Sequence, residues 1–383
     1  MKLNHIYKSI ACGVLLAMTA TSCDLDYNPV DTYSDVTEGV NKTDEKPIFN
    51  SVQDVETSMV TLHKKFRDQQ EHWYVDKLLI GDAHSDNAYA GTTGAEVVPY
   101  ETNSIEGSNS VLKRDWDRFL GDIAVANRII VGCDQLKALS ESERGKYQSQ
   151  AKIFRAMVMF DMVRLWGNFP VITTVGGDIT EDNVEEMYPT YFPPQNTAEE
   201  AYAQIEKDLT EAVENPNTPT NDTSDKSILT KSVARAMLAK VYAEKPLRDY
   251  AKVIKYADEL AADGFDLVED FSDLWAYDTE KKDCRVRNTK EAILEAHFPP
   301  GSGNWCTWMF GRNLSNWDES FTWAKWITPS RDLIRLYEEQ GDTKRYNESV
   351  VWYDCGWSNY YPADHYAFMY KCRSAFKIGR ASC

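Results

Sequence analysis

Seven of the eleven tryptophans fall between Trp305 and Trp357, in a stretch rich in Gly, Tyr and Asn. Flat indole faces suit one chemistry above others, stacking on the C–H face of a pyranose ring, while amide, carboxylate or guanidinium groups hold the hydroxyls. Trp305, Trp308, Trp317, Trp323 and Trp326 are therefore the candidate stacking platform, with Asn304, Arg312, Asn313 and Asp318 as polar partners. Trp is usually largely buried, so part of this set belongs to a core, and Trp323 and Trp326, nearest the following helix, are the first to assign there. A second candidate group lies in the stretch Ala83–Tyr100, where Gly91 and Gly94 permit an exposed loop carrying Asp86, Asn87, Tyr89 and Tyr100. For Asp86 and Asn87 the competing role is to close a turn.

Other chemistries find no footing. The six His show no H-E-x-x-H or other metal spacing, and no G-x-G-x-x-G, G-x-S-x-G or phosphate-binding loop occurs. No catalytic residue, metal ligand or cofactor is expected. The 60 acidic residues against 42 basic ones give a net charge of −18, which disfavours nucleic acid and anionic lipid as partners. With so many carboxylates some pair is inevitable, so a pair alone does not make a glycosidase, which needs two across a sugar site.

The elements that position these residues begin with an export signal. Lys2 and Lys8 precede an apolar run, Ser9–Ala20, that is too short to span a bilayer. Ala20-Thr21-Ser22-Cys23 then has the form of a lipoprotein cleavage site, which makes Met1–Ser22 a signal peptide and Cys23 the lipidated first residue. Losing Lys2 and Lys8 takes the charge from −18 to −20, leaving membrane attachment to the acyl chains. A polar leader, residues 23–50, leads to the folded body. No Cys forms a C-x-x-C pair. A bridge among Cys306, Cys355 and Cys372 and buried free thiols are equal alternatives.

From Ser51 a helical period takes over. Val55, Met59, Leu62 and Phe66 make one apolar face, and a second helix is expected over Val111–Leu139. Ser140 and Glu143 form a capping box for a third, running to Trp166 and stopping at Gly167. Its Ala151–Trp166 part is apolar nearly all round, which predicts a helix sandwiched between neighbours. Asp161 and Arg164 are expected to satisfy each other or a neighbouring repeat.

After a Gly-, Pro- and Tyr-rich loop, Val175–Asn196, the pattern resumes. Thr197 and Glu200 cap a helix to about Glu214, and Thr230 caps the next, whose Ala234, Ala236, Ala239 and Ala243 admit a close partner. Tyr250–Ala262 follows, ended by Gly264. Lys231–Gly264 has the length of a tetratricopeptide unit. Beyond it, Ala292–Phe298 reads as a short strand. One helix is expected in the aromatic lobe, with Thr328 as cap, Pro329 in its first turn and Gly341 at its end. The fold expected is mainly α: a helical-repeat region, residues 51–264, bearing an irregular aromatic lobe, residues 265–376.

These residues resemble the SusD/RagB family of outer-membrane nutrient-binding lipoproteins. The lipobox at Cys23 fits, as does Leu79-Ile80-Gly81-Asp82 followed by Ser85-Asp86-Asn87. Ala151–Ala156 continuing through Phe160–Pro170 is close to the family's A-x-x-x-R-A-x-x-x-F-D-L-V-R-x-W/Y-G-x-x-P helix. Val233–Tyr242, Tyr250–Leu267, Glu291–Phe298 and Pro329–Arg345 agree in order. Family members run on further, so residues 377–383 read as a truncation end or foreign residues. The resemblance implies a non-enzymatic cell-surface protein that captures oligosaccharides and passes them to a SusC-like TonB-dependent outer-membrane transporter. A surface glycoside hydrolase and a peptide- or glycopeptide-binding relative are the alternatives.

Overall fold

The computed structural model describes residues 47–90, 96–179, 181, 183–244, 246–278, 280–281, 283–298, 327–353 and 366–369. The expected signal peptide, Cys23 and residues 377–383 fall outside this set. The described residues from Ile48 onward belong to one compact unit.

Helix α1 (Val52–Asp68) opens on a capping box between Ser51 and Asp54 and buries Val55, Met59, Leu62 and Phe66, as their spacing predicts. Just before it, Phe49 is buried over Gly132, where a Cβ would fall 2.4 Å from the ring. Two π-helical stretches, Glu71–Val75 and Leu79–Ala83, flank the short α2 (Asp76–Leu78). Strand β1 (Ala88–Ala90) and the one-turn α3 (Val98–Glu101) lead to α4 (Ser110–Gln135). That helix ends four residues earlier than its apolar pattern suggests. Arg144, from the next helix, takes the carbonyls of Cys133 and Leu136 at 2.9 and 3.3 Å, so the chain can turn while its end carbonyls stay bonded.

Helix α5 (Glu141–Trp166) has the expected Ser140–Glu143 capping box and stops at Gly167, whose φ is 72°. Helices α6 (Ala198–Glu214), α7 (Lys231–Ala243) and α8 (Tyr250–Ala262) follow, with Thr197, Thr230 and Asp249 as their N-caps. From α4 onward each long helix packs on the next in sequence, and α1 packs on α4. This nearest-neighbour stacking is that of a helical repeat. Helix α5 lies between α4 and α6, as its all-round apolar surface requires. Asp161 pairs with Lys77 and Arg164 with Glu244 rather than with each other.

The later part is less regular. Strands β2 (Tyr277–Asp278) and β3 (Asp283–Cys284) make a short hairpin. Strand β4 (Ile327–Pro329) pairs antiparallel with β1, and α9 (Arg331–Gln340), α10 (Thr343–Ser349), β5 (Val350–Tyr353) and β6 (Tyr366–Met369) follow. Two expectations are corrected here. Ala292–Phe298 is not a strand: its apolar side chains Ile293, Leu294, Ala296 and Phe298 are drawn against the helices. Its backbone bonds make no ladder: Glu295 N–H donates to the Lys226 carbonyl at 2.9 Å, Ala292 N–H to the Thr289 carbonyl at 3.1 Å, and the Phe298 carbonyl accepts from Arg287 at 2.8 Å. Thr328 and Pro329 do not start the helix. They lie in β4, where the Thr328 hydroxyl donates to the Ala367 carbonyl, and Ser330 is the N-cap of α9. Gly341 ends α9 as expected, with a φ of 65°.

Candidate functional site

Two stretches of sequence far apart in the chain meet at the β1–β4 pair. Ala88, Tyr89 and Ala90 lie opposite Pro329, Thr328 and Ile327. Alternation along the strand turns Ala88 and Ala90 into a core of Val75, Leu79, Ala83, Val97, Tyr100, Val111 and Ile327, and leaves Tyr89 half-buried. Ahead of β1 the chain turns tightly: the Ser85 hydroxyl donates to the Asp82 carbonyl at 2.9 Å and accepts from the Asn87 N–H at 3.2 Å.

Ser330 clamps that turn. Its hydroxyl donates to the Asp86 carbonyl, its N–H donates to the Asn87 carbonyl at 3.0 Å, and its oxygen accepts from the Leu333 N–H at 3.0 Å as the cap of α9. The Arg331 N–H donates to the Tyr89 hydroxyl at 3.2 Å, and Glu101 accepts from the Ala90 N–H at 2.7 Å. The side chains of Asp86 and Asn87 are exposed while their carbonyls are bound.

Tyr100 is a correction. Grouped in the sequence with Asp86, Asn87 and Tyr89, it is fully buried beneath β1. The apolar spacing of Val97 and Tyr100 on a single helical turn was the missed signal. Trp305, Trp308, Trp317, Trp323, Trp326, Asn304, Arg312, Asn313 and Asp318 lie outside the described residues. The residues that flank this stretch are described, and both rest on the 71–90 segment. Phe298 is buried with its ring 6.4 Å from that of Tyr74, and Ile327 pairs with Ala90.

Beneath the clamp sits a buried ionic cluster that no motif announces. Asp76 is fully buried and Asp115 is 1% exposed. The Asp115 carboxyl is pushed up to about 9, first by burial, then by the charge of Asp76 and a hydrogen bond to it, with Arg114 and Arg118 opposing. A hydrogen bond between two carboxyls requires a proton on one of them, and two charges so close in a dry site cannot both ionise. Arg114 donates to Asp76 and lies 3.7 Å from Asp115. The Tyr100 hydroxyl is held neutral by burial first and then by the two aspartates. Nearby, Asp122 accepts from His72 Nε2 at 2.9 Å and Trp73 Nε1 at 3.1 Å, and pairs with Lys65 at 3.2 Å. These groups fix the 65–83 segment to α4, and the burial of the Asp76, Asp115 and Asp122 carboxyls assigns them to structure.

A further buried pair joins the helices. Arg155 binds Asp208 through two hydrogen bonds of 2.8 and 2.7 Å and donates to Asn127 at 2.7 Å. Burial raises the Asp208 pKa more than Arg155 lowers it. A surface cleft of about 450 Å³ is lined by Lys146 and Thr220–Thr223, and two of its polar side chains are engaged within the protein. Asp222 takes Ser224, and Asn221 takes Lys226. Among the described residues no group of three or more His, Cys, Asp or Glu could hold a metal ion. Cys133 and Cys284 are free thiols, and the late-region bridge considered above lies outside the described residues.

Residues 32–243, more than half the chain, match the SusD-like family, described as starch-binding and associating with the outer membrane. The chain belongs to the SusD-like family. A SusD-like protein of Bacteroides ovatus is 25% identical over 309 residues, 77% of this chain and 50% of that protein. This SusD-like chain thus spans about half the length of the curated relative that it matches. Among solved structures, a laminarin-binding SusD-like protein superposes with a TM-score of 0.62 at 18% identity, covering 85% of this chain and 73% of that one. Surface glycan-binding protein A of Bacteroides thetaiotaomicron, solved with laminarihexaose, gives 0.66 at 15% identity, covering 84% and 71%. A SusD-superfamily protein of Bacteroides vulgatus gives 0.66 at 16%, covering 87% and 71%. At these identities the structures speak for a common fold, the mainly α, tetratricopeptide-like scaffold described above. Among the described residues of the SusD-like chain, no helix is long and apolar enough to cross a membrane.

Proposed function

We propose that this SusD-like protein is a non-enzymatic binder of oligosaccharides, held by lipid on Cys23 at the outer membrane and facing the cell exterior. It passes its ligand to a SusC-like TonB-dependent transporter. The observation that carries the reading is the β1–β4 pair, which joins Tyr89 and the turn bearing Asp86 and Asn87 to the residues that directly follow Trp326. Stacking by Trp305, Trp308, Trp317, Trp323 and Trp326 supplies apolar contact. Asn304, Arg312, Asn313, Asp318, Asp86 and Asn87 supply hydrogen bonds to hydroxyls. The exposed side chains and bound carbonyls of Asp86 and Asn87 support such a role, because groups fixed through their backbone are pre-organised for a ligand.

Affinity electrophoresis against polysaccharides tests this, with starch and laminarin first because the family description and the structural neighbours name them. Retardation is expected, and it should be lost when Trp305, Trp308 and Trp317 are all replaced by Ala. Full binding by that variant would end the site assignment. Reducing sugar released on prolonged incubation, and abolished by a carboxylate variant, would end the non-enzymatic reading. Replacing Cys23 with Ser should release the protein from membranes.

A further inference from the structure

The loop Val175–Asn196 carries an exposed aromatic group that the candidate site does not use. Its base is closed by the Phe169–Asn196 bridge, where the Asn196 N–H donates to the Phe169 carbonyl and Asn196 Oδ1 accepts from the Val171 N–H, both at 2.9 Å. At its far end Tyr188, Tyr191 and Phe192 are 55%, 51% and 67% exposed. More than half of each ring's residue thus faces water, an unfavourable display for three neighbouring aromatics unless something covers them.

The turn that carries the rings is fixed by local bonds. Tyr188–Tyr191 is a 3₁₀ turn opened by Pro189. The Thr190 hydroxyl donates to the Met187 carbonyl and the Tyr191 hydroxyl to the Gly177 carbonyl, both at 2.7 Å. The Met187 methyl packs on Gly177, 2.9 Å from where a Cβ would stand. The Tyr188 and Phe192 rings are 5.1 Å apart and tilted by 53°, so they form an open angle rather than a closed stack.

Charge narrows the ligand. From Val175 to Asn196 the sequence carries Asp178, Glu181, Asp182, Glu185 and Glu186 and no Lys, Arg or His. Asp178, Glu185 and Glu186 are exposed. Such a field repels phosphate, sulfate and uronate groups, whereas carboxylates accept hydrogen bonds from neutral hydroxyls. Acidic residues are also depleted from the cores of protein interfaces, which disfavours a protein as the occupant. We propose that Tyr188 and Phe192, on the turn held by Tyr191, form a second platform for uncharged glycan chains, carried by a loop separate from the β1–β4 site. This inference rests on the proposed glycan-binding function. Two platforms on one body would let a long polysaccharide engage both, raising apparent affinity without new contacts for a short oligosaccharide.

The test uses the full chain and one polysaccharide that retards it, together with a hexasaccharide of the same glycan, in calorimetry and affinity gels. Combined Tyr188→Ala and Phe192→Ala substitution should weaken polymer binding roughly tenfold or more, while hexasaccharide affinity stays within about twofold. Phe192→Tyr, which keeps a ring, should retain polymer binding. Unchanged polymer affinity in the double variant overturns the inference and leaves the main function standing. Equal loss for polymer and hexasaccharide also overturns it, by assigning the loop to the main site. Intact glycan binding with loss of a co-purifying membrane protein overturns it in favour of a protein contact. Failure of the intact protein to bind any glycan overturns both readings.

Discussion

Replacing Asp115 with Asn is expected to stabilise the protein, by an amount that grows with pH. Unfolded, Asp115 loses its proton near its ordinary value of 3.8; folded, it keeps the proton to about 9, because it is buried beside Asp76. Folding at neutral pH must therefore take up a proton. The sign follows from linkage. The folded pKa is raised, so the wild-type contribution is complete below the unfolded pKa and is lost progressively as pH climbs towards the folded one. Each pH unit in that window is ~1.4 kcal/mol, which between pH ~4 and pH ~7 amounts to ~4 kcal/mol. Asn supplies the N–H that the protonated carboxyl supplies to Asp76, and needs no proton. Orienting a buried amide in place of a carboxyl costs ~1–3 kcal/mol, which leaves a net gain of ~1–3 kcal/mol near neutrality. Urea unfolding of both proteins, followed by far-ultraviolet dichroism between pH ~4 and pH ~8.5, reads the difference directly. The stability difference should rise with pH in favour of Asn. A difference that is flat across that range, or a wild type that becomes relatively more stable as pH rises, would refute the shared-proton account.

Other consequences follow from the packing. Arg155→Met leaves Asp208 buried without its cation and should cost ~3–5 kcal/mol in urea unfolding. Gly132→Ala drives a Cβ into the Phe49 ring and should lower stability by ~1–3 kcal/mol, whereas the same change should cost much less in a Phe49→Ala background, where the ring is gone; thermal melts of the four proteins of the cycle measure this. Ser330→Ala removes the α9 cap and the bond to the Asp86 carbonyl together. A loss of ~1–2 kcal/mol is expected, with faster amide exchange at Leu333 and in the 84–90 turn. Burial and then the neighbouring Asp134 push the Cys133 thiol up to about 12, so native Cys133 should resist iodoacetamide at pH ~8 and react only on unfolding, as peptide mapping would show.

The helical scaffold was readable because its signals are local. Ser140 with Glu143, and Thr197 with Glu200, sit three residues apart and satisfy the same backbone donors whatever packs around them. The all-round apolar character of Ala151–Trp166 likewise needs a sandwich of neighbours, and α4 and α6 provide it. What could not be read depends on residues remote in sequence. Thr328 looks like a helix cap until β1 supplies a strand partner, after which Ser330 takes the capping role. Ala292–Phe298 has strand-like composition, but it lies against helices where no strand offers a ladder. Asp76 and Asp115 carry no motif. A trace of Asp115 exists in the sequence, because it shares a helical face with Val111 and Phe119, positions that are buried, and a charge among such neighbours demands a partner.

The same contrast explains how this fold can carry a ligand site on an irregular lobe. The β1–β4 turn owes its shape to backbone bonds: Ser330 to two carbonyls, Glu101 to the Ala90 N–H, and Arg331 N–H to Tyr89. Underneath, small Ala88 and Ala90 side chains and the buried Tyr100 fill the core, and the Asp76–Asp115–Arg114 cluster ties α2 to α4. Neither support uses the side chains of Asp86 or Asn87. Those two positions are therefore free of the demands of folding, in the sense that substitution there removes none of the bonds that hold the turn. A change such as Asn87→Ala should leave thermal stability within ~0.5 kcal/mol of wild type. Under the proposed function it should still weaken glycan binding. A variant that melts early instead would show that these side chains shape the turn, and the division between a scaffold built for stability and a rim available for recognition would fail at that point.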